Sequence, residues 1–150
     1  MTEPKSVREK TTDGPAPRPR RRKPAPAGGS GSGTGVPAEL TLAAKAAYEK
    51  KAAGVVVLDL RTVQAFTDFF FICTGQNARQ VKAIADAVEA ALAKDGHKPA
   101  HVEGYDRANW ILLDYFTFVV HIFAPDARRF YDIERLWGSA DLLEMPDPAA

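Results

Sequence analysis

The chain has 150 residues, a net charge of +1 at pH 7 and 45% hydrophobic residues, a composition typical of globular proteins. Its one cysteine, Cys73, excludes an intramolecular disulfide and a cysteine-rich zinc site. No apolar run approaches the roughly 20 residues that span a bilayer, and the N-terminus has no apolar signal core, so we expect a soluble, cytoplasmic protein without a membrane partner.

The N-terminal residues differ in composition from the rest of the chain. Residues 1–40 contain no aromatic residue, but they hold seven of the eleven prolines and six of the eleven glycines. Such a stretch cannot bury a hydrophobic core, so we predict a disordered basic tail over residues 1–36 and one domain over residues 37–150. The run RPRRRK at residues 18–23 suits contact with RNA phosphates, and a merely solubilising tail explains it as well.

Helical and strand patterns then follow in chain order. An alanine-rich helix is predicted at residues 37–53. Two strands that are apolar on both faces follow at residues 55–60 and 67–74, as expected for the centre of a sheet. Asn77 is predicted to cap a long amphipathic helix that Gly96 closes.

Three further strands and a last helix complete the predicted fold. The strands are predicted at residues 98–102, 110–115 and 118–123, and the helix at residues 126–136. We expect this helix to direct Phe130, Ile133 and Trp137 into the core. The last two strands form an antiparallel hairpin, whereas the long central helix favours a parallel crossover. The order predicts an α/β fold with a mixed sheet of about five strands flanked by helices.

Residues suited to catalysis are few and scattered. Asp59, Asp68 and Asp114 lie on or beside predicted strands, where clustered carboxylates could bind Mg²⁺ for phosphoryl transfer, but no two of them form an Asp-x-Asp pair. His121 lies in an apolar strand and is predicted to be a hydrogen-bonded structural residue, and Cys73 is predicted to serve in packing. We therefore predict no catalytic residue, no metal site and no cofactor.

Aromatic residues are concentrated around the predicted hairpin. Trp110, Tyr115 and Phe116 lie close together there, and a few such side chains supply most of the binding energy of a protein interface. Strand alternation places Trp110 and Tyr115 on opposite faces of the sheet. Phe116 falls where the hairpin turns and burial is hardest, so an exposed Phe116 would indicate contact with a partner.

Four sequence blocks together resemble the ribosomal silencing factor, or Iojap-like, family. They are TDFFFICTGQNARQVKAIADAVEAAL (67–92), VEG (102–104), NWILLDYFTFVVHIF (109–123) and RRFYDIERLW (128–137), and they cover nearly the whole predicted domain. The family usually has Gly-Asp between the two hairpin strands, where this chain has Phe116 and Thr117. Because phenylalanine adopts a positive φ poorly, we predict a wider or strained turn.

The resemblance implies a nucleotidyltransferase-like shape without catalytic carboxylates. It also implies a translation repressor that binds the large ribosomal subunit through its protein number fourteen and blocks joining of the small subunit when nutrients are scarce. The partner contacts are predicted at Trp110, Asp114, Tyr115 and Phe116, with rim contacts at Arg79, Arg128 and Arg129. A nucleotidyltransferase-like enzyme and an RNA-binding protein acting through the basic tail stay open as alternatives, as does a homodimer.

Overall fold

The structure is a computed structural model that describes residues 36–63 and 65–147. The predicted tail lies outside the described residues, apart from Val36, which packs against the core. The helices are α1 (Ala38–Glu49), α2 (Ala78–Lys94), α3 (Pro125–Tyr131) and α4 (Ile133–Leu136). The strands are β1 (Ala53–Asp59), β2 (Phe69–Thr74), β3 (His101–Glu103), β4 (Trp110–Asp114), β5 (Phe118–Phe123) and β6 (Asp141–Glu144).

The strands form one mixed sheet in the order β3-β4-β5-β2-β1-β6. β2 and β5 are parallel neighbours, and the other adjacent pairs are antiparallel. β3 runs in the same direction as β2, as the predicted crossover through α2 requires, but it pairs with β4 at the sheet edge. The predicted hairpin between β4 and β5 is confirmed.

Helices pack on both faces of the sheet. On the first face, α1 and α2 pack against Val57, Phe71, Ile111 and Val120 in the larger core cluster. The predicted cap of α2 is confirmed, because Asn77 Oδ1 accepts a hydrogen bond of 2.9 Å from the Gln80 backbone N–H. In the described part of the chain, no helix is both long and apolar enough to cross a membrane.

On the second face lie α3 and α4, which have only seven and four residues. Ala127 of α3 and Ile133 of α4 pack against Phe70 and Phe123 in the smaller core cluster. Such short helices cannot cover a six-stranded sheet, since each residue of a helix adds only about 1.5 Å of length. Part of this face therefore stays accessible.

The C-terminal region departs from the sequence prediction in two ways. The single helix predicted at residues 126–136 is wrong, because Asp132 has a left-handed backbone with φ 46° and separates α3 from α4. Phe130 is 79% exposed instead of buried, whereas Ile133 is buried as expected. The sheet also has a sixth strand, β6, whose short and largely exposed sequence gives no apolar pattern to detect.

Several predicted element boundaries also shift. The first helix ends at Glu49 and not at residue 53, because Lys51 takes a left-handed φ of 67°. Ala53 then begins β1, where the register with β2 is interrupted by a bulge next to Gly54, whose φ is 58°. The strand predicted at 98–102 is observed as His101–Glu103.

Candidate protein-interaction site

Strand β4 is buried on one face and accessible on the other. Ile111 and Leu113 face the larger core cluster and are fully buried. Trp110, Leu112 and Asp114 alternate with them on the opposite face and are only partly buried. We call these three residues, together with Tyr131 of α3, the open face.

Trp110 is held in place by an aromatic cluster. Its ring centroid lies 4.5 Å from that of Tyr131 and 4.9 Å from that of Phe123. Its indole Nε1–H donates a hydrogen bond of 3.1 Å to Nδ1 of His121. Tyr131 is itself 42% exposed. The Trp110 ring is therefore oriented by the fold while part of it stays accessible to a partner.

His121 is the buried support of Trp110. Because Nδ1 accepts the indole hydrogen bond, the ring proton of the neutral imidazole belongs on Nε2. That atom is buried and has no hydrogen-bond partner among the described residues. The ring lies edge-on to Phe70 at 4.4 Å, and burial lowers the pKa of His121 to about 3. The predicted structural role of His121 is confirmed.

We expect His121 to make the fold sensitive to acid. An unfolded histidine titrates near 6.5, so between pH 6.5 and 3 the unfolded chain takes up a proton that the native chain excludes. The free energy of unfolding therefore falls with falling pH. His121→Gln keeps an acceptor for Trp110 but does not titrate, so it should remove the pH dependence that His121 causes. When the pH is lowered from 7 to 4.5, urea unfolding should show that the free energy of unfolding falls by about 2 kcal/mol more for wild type than for the variant. Equal losses would contradict the assignment.

The predicted contacts Asp114 and Phe116 lie at the end of β4 and in the turn that follows it. Phe116 has a φ of 72°, so the predicted strain of this turn is confirmed. The residue is 64% exposed, which is the condition under which we expect it to contact a partner. A non-glycine residue in this region costs roughly 1 to 3 kcal/mol. Asp114 Oδ1 accepts a hydrogen bond of 2.9 Å from the Phe116 backbone N–H, so this carboxylate supports the turn.

Tyr115 lies away from the open face. Its ring stacks on Phe118 at 4.8 Å and packs against the larger core cluster, on the face that α2 covers. Its hydroxyl group is buried without a hydrogen-bond partner among the described residues, and burial raises the pKa of Tyr115 to about 12. Strand alternation thus separates Tyr115 from Trp110, as predicted.

The three arginines predicted at the rim differ in their surroundings. Arg79 is exposed in the first turn of α2, and Arg129 pairs with Asp126 at the surface. Arg128 turns inward, in contrast to the rim position predicted for it, because it donates hydrogen bonds to acceptors within the fold. These acceptors are the Gly54 backbone oxygen (2.8 Å), Thr74 Oγ1 (2.8 Å) and the two carboxylate oxygens of Glu134 (3.2 and 2.8 Å).

The three strand aspartates do not form one cluster. Asp59 is on β1 and Asp114 is on β4, and β2 and β5 lie between these strands, which places the two backbones about 14 Å apart. The Asp59 carboxylate accepts two hydrogen bonds from the Arg61 side chain, at 2.9 and 2.7 Å. In residues 36–63 and 65–147, no group of three or more His, Cys, Asp or Glu is placed to hold a metal ion. Cys73 is fully buried, and burial raises its pKa to about 12, which keeps it a packing thiol.

Two residues of the open face are missing from the sequence prediction. Leu112 alternates with Trp110 and Asp114, so the period of two along β4 is a signal that could have identified it. Tyr131 gives no comparable signal, because its position next to Trp110 depends on where α3 ends at Asp132.

The protein-family model described as "Ribosomal silencing factor during starvation" matches residues 34–150 of the chain. The chain belongs to this family. The ribosomal silencing factor of Halalkalibacterium halodurans is 40% identical over 106 residues, which cover 71% of this chain and 91% of that protein. A crystal structure of a Chromobacterium violaceum protein has 34% identity and a TM-score of 0.65, and the match covers 67% of this chain and 84% of that one.

A more distant relative of this silencing factor comes from mouse. It is named "Mitochondrial assembly of ribosomal large subunit protein 1" and is 25% identical over 92 residues. The match covers 59% of this chain but only 40% of the mouse protein. The domain is therefore shared with a longer protein whose name refers to the large ribosomal subunit.

Proposed function

We propose that this silencing factor binds the large ribosomal subunit through its protein number fourteen and prevents the small subunit from joining. The observation that carries the proposal is the open face, where Trp110 and Tyr131 are held in contact but remain partly accessible. Membership of the silencing-factor family and the name of the mouse relative support a ribosomal partner.

One interface can include both ends of β4. Trp110 and Phe116 are six residues apart along the chain, which corresponds to about 20 Å in an extended strand. A stable protein interface buries about 800 Å² on each partner, a patch roughly 30 Å across. Leu112 and Asp114 of β4 lie between Trp110 and Phe116 in the chain. For the rim of the interface we propose the exposed arginines Arg79 and Arg129.

The proposed activity needs no chemistry on a substrate. A bound silencing factor excludes the small subunit by occupying the same volume, so its effect depends on its affinity relative to that of subunit joining. We propose accordingly that it is not an enzyme, needs no cofactor, and acts in the cytoplasm as a translation repressor. A homodimer is compatible with this mechanism as long as the open face stays accessible.

A sucrose gradient with purified ribosomal subunits tests the proposal. The full chain is added in increasing amounts before the subunits are allowed to join at constant magnesium concentration. We expect the peak of intact ribosomes to fall and the silencing factor to migrate with the large subunit only. An unchanged intact-ribosome peak with the chain at a large excess would contradict the proposal.

Deletion of residues 1–35 separates the proposal from RNA binding through the basic tail. The deletion removes the RPRRRK run but leaves Val36, which packs against the core. We expect the shortened chain to lower the intact-ribosome peak as the full chain does. Its affinity for the large subunit should change by less than about tenfold, because loss of contacts between the tail and phosphates affects mainly the salt-dependent part of the binding free energy. Complete loss of large-subunit binding would favour the tail as the binding element.

A further inference from the structure

The turn between β4 and β5 holds a phenylalanine in a conformation that favours glycine. Phe116 has a φ of 72°, and the Thr117 backbone N–H donates a hydrogen bond of 2.8 Å to the Tyr115 backbone oxygen, which closes a turn of three residues. Such turns with a positive central φ are rare and strained. Phe116 is 64% exposed, so burial of the residue does not compensate for the strain.

The backbone on both sides of Phe116 is fixed by hydrogen bonds. Asp114 Oδ1 accepts from the Phe116 N–H at 2.9 Å. On the other side, the hydroxyl group of Thr67 donates a hydrogen bond of 2.7 Å to the Phe116 backbone oxygen. The Thr117 backbone oxygen accepts from the N–H groups of Asp68 (3.0 Å) and Phe69 (3.2 Å). The segment that leads into β2 thus holds the turn in place.

Thr67 is suited to this bond because it is buried. Only 5% of its surface is exposed, and its hydroxyl hydrogen bond joins two segments that are 49 residues apart in sequence. A buried hydroxyl group that loses its acceptor is destabilising, so the hydrogen bond keeps the Phe116 peptide in one orientation. A residue that is strained, exposed and held by its surroundings is typical of a functional position.

We propose that Thr67 is a positioning residue for partner binding, which acts by fixing the backbone from which the exposed Phe116 ring projects. This inference rests on the proposed function, and it identifies the matching surface as an apolar depression on the ribosomal protein. Phe116 carries no charge and no hydrogen-bonding group in its side chain, and aromatic anchors that bind strongly do so in desolvated pockets of a protein partner. A backbone that is already fixed at Phe116 loses less conformational entropy on binding.

The test measures affinity and stability of the full chain in three variants. Titration calorimetry with purified large-subunit protein number fourteen gives the affinity, and thermal unfolding gives the midpoint. We expect Thr67→Val, which lacks the hydroxyl group, to bind about tenfold more weakly, whereas Thr67→Ser, which keeps it, should bind within about twofold of wild type. We expect Phe116→Gly to bind at least tenfold more weakly while its unfolding midpoint rises by about 4 °C, because glycine relieves the strained φ.

The opposite signs for Phe116→Gly distinguish a binding role from a structural one. Leu142→Ala provides a matched control, because Leu142 is an exposed apolar residue of β6 at the opposite edge of the sheet. This variant should bind the ribosomal protein with the affinity of wild type. If wild type binds and Phe116→Gly binds equally well, the inference is overturned and the proposed function survives. The same holds if Thr67→Ser is as weak as Thr67→Val. If wild type does not bind the ribosomal protein, the proposed function itself fails.

Discussion

Trp110→Ala is expected to weaken binding of the silencing factor to the large ribosomal subunit at least 30-fold, or about 2 kcal/mol. The substitution removes the largest side chain of the open face. It also removes the ring that contacts Tyr131 and the hydrogen bond to His121. Pelleting of labelled chain with purified large subunits measures the affinity, and the gradient assay should show a matching loss of the effect on subunit joining.

Loss of affinity must be separated from loss of folding in this variant. Trp110 packs against the smaller core cluster, so Trp110→Ala also destabilises the domain, and binding should be measured at a low temperature where circular dichroism shows the variant folded. Leu142→Ala serves again as the control, because it removes exposed apolar surface four strands away from β4. A folded Trp110→Ala chain that binds within threefold of wild type would exclude the open face as the main contact.

The central part of the fold could be predicted because its sequence patterns are strong. β2 and β5 are buried along their whole length, and all their residues except Thr74 and His121 are apolar, which is typical of parallel strands covered on both faces. In α2, the buried residues Val81, Ile84 and Val88 follow the helical period, and Asn77 caps its first turn. Local sequence and tertiary environment agree in these elements, so the sequence is sufficient to identify them.

The C-terminal region could not be predicted because tertiary contacts determine it. β6 has only four residues and is mostly exposed, and its identity as a strand depends on pairing with β1. The break between α3 and α4 occurs at Asp132, a residue without the conformational freedom of glycine. Phe130 before the break is exposed, whereas Ile133 after it is buried.

The site could be predicted in composition but not in arrangement. The aromatic residues of the hairpin indicated Trp110 and Phe116, and both are accessible in the structure. Which groups support them depends on distant segments. His121 receives the Trp110 hydrogen bond across neighbouring strands, and Thr67 reaches the Phe116 peptide from the connection before β2. The Thr67 contact joins segments 49 residues apart, and no spacing in sequence reveals it.

The second large effect is expected for Arg128→Met, which should destabilise the domain by about 2 kcal/mol. Arg128 joins the second helical layer to the sheet, because it connects Glu134 of α4 with Gly54 of β1 and Thr74 of β2. The Arg128 and Glu134 side chains are only 17% and 23% exposed. Removal of the guanidinium leaves the partly buried Glu134 carboxylate, the Gly54 backbone oxygen and Thr74 Oγ1 without their hydrogen-bond donor. Thermal unfolding should show a midpoint lower by about 8 °C.

Arg129→Met is the matched control, because Arg129 is the next residue in the same helix and carries the same charge. Its side chain is 71% exposed, and among the described residues its ion-pair partner is Asp126, whose side chain is 95% exposed. Exposed ion pairs of this kind contribute about 0 to 1 kcal/mol, so its midpoint should lie close to that of wild type. Equal midpoints for the two variants would contradict the internal role of Arg128. Binding to the large ribosomal subunit is then compared at a temperature where both variants are folded. We expect the affinity of Arg128→Met to stay within about threefold of wild type, since the Arg128 guanidinium already has partners inside the domain. Arg129→Met should lose the small, salt-dependent share of affinity that an exposed rim charge provides.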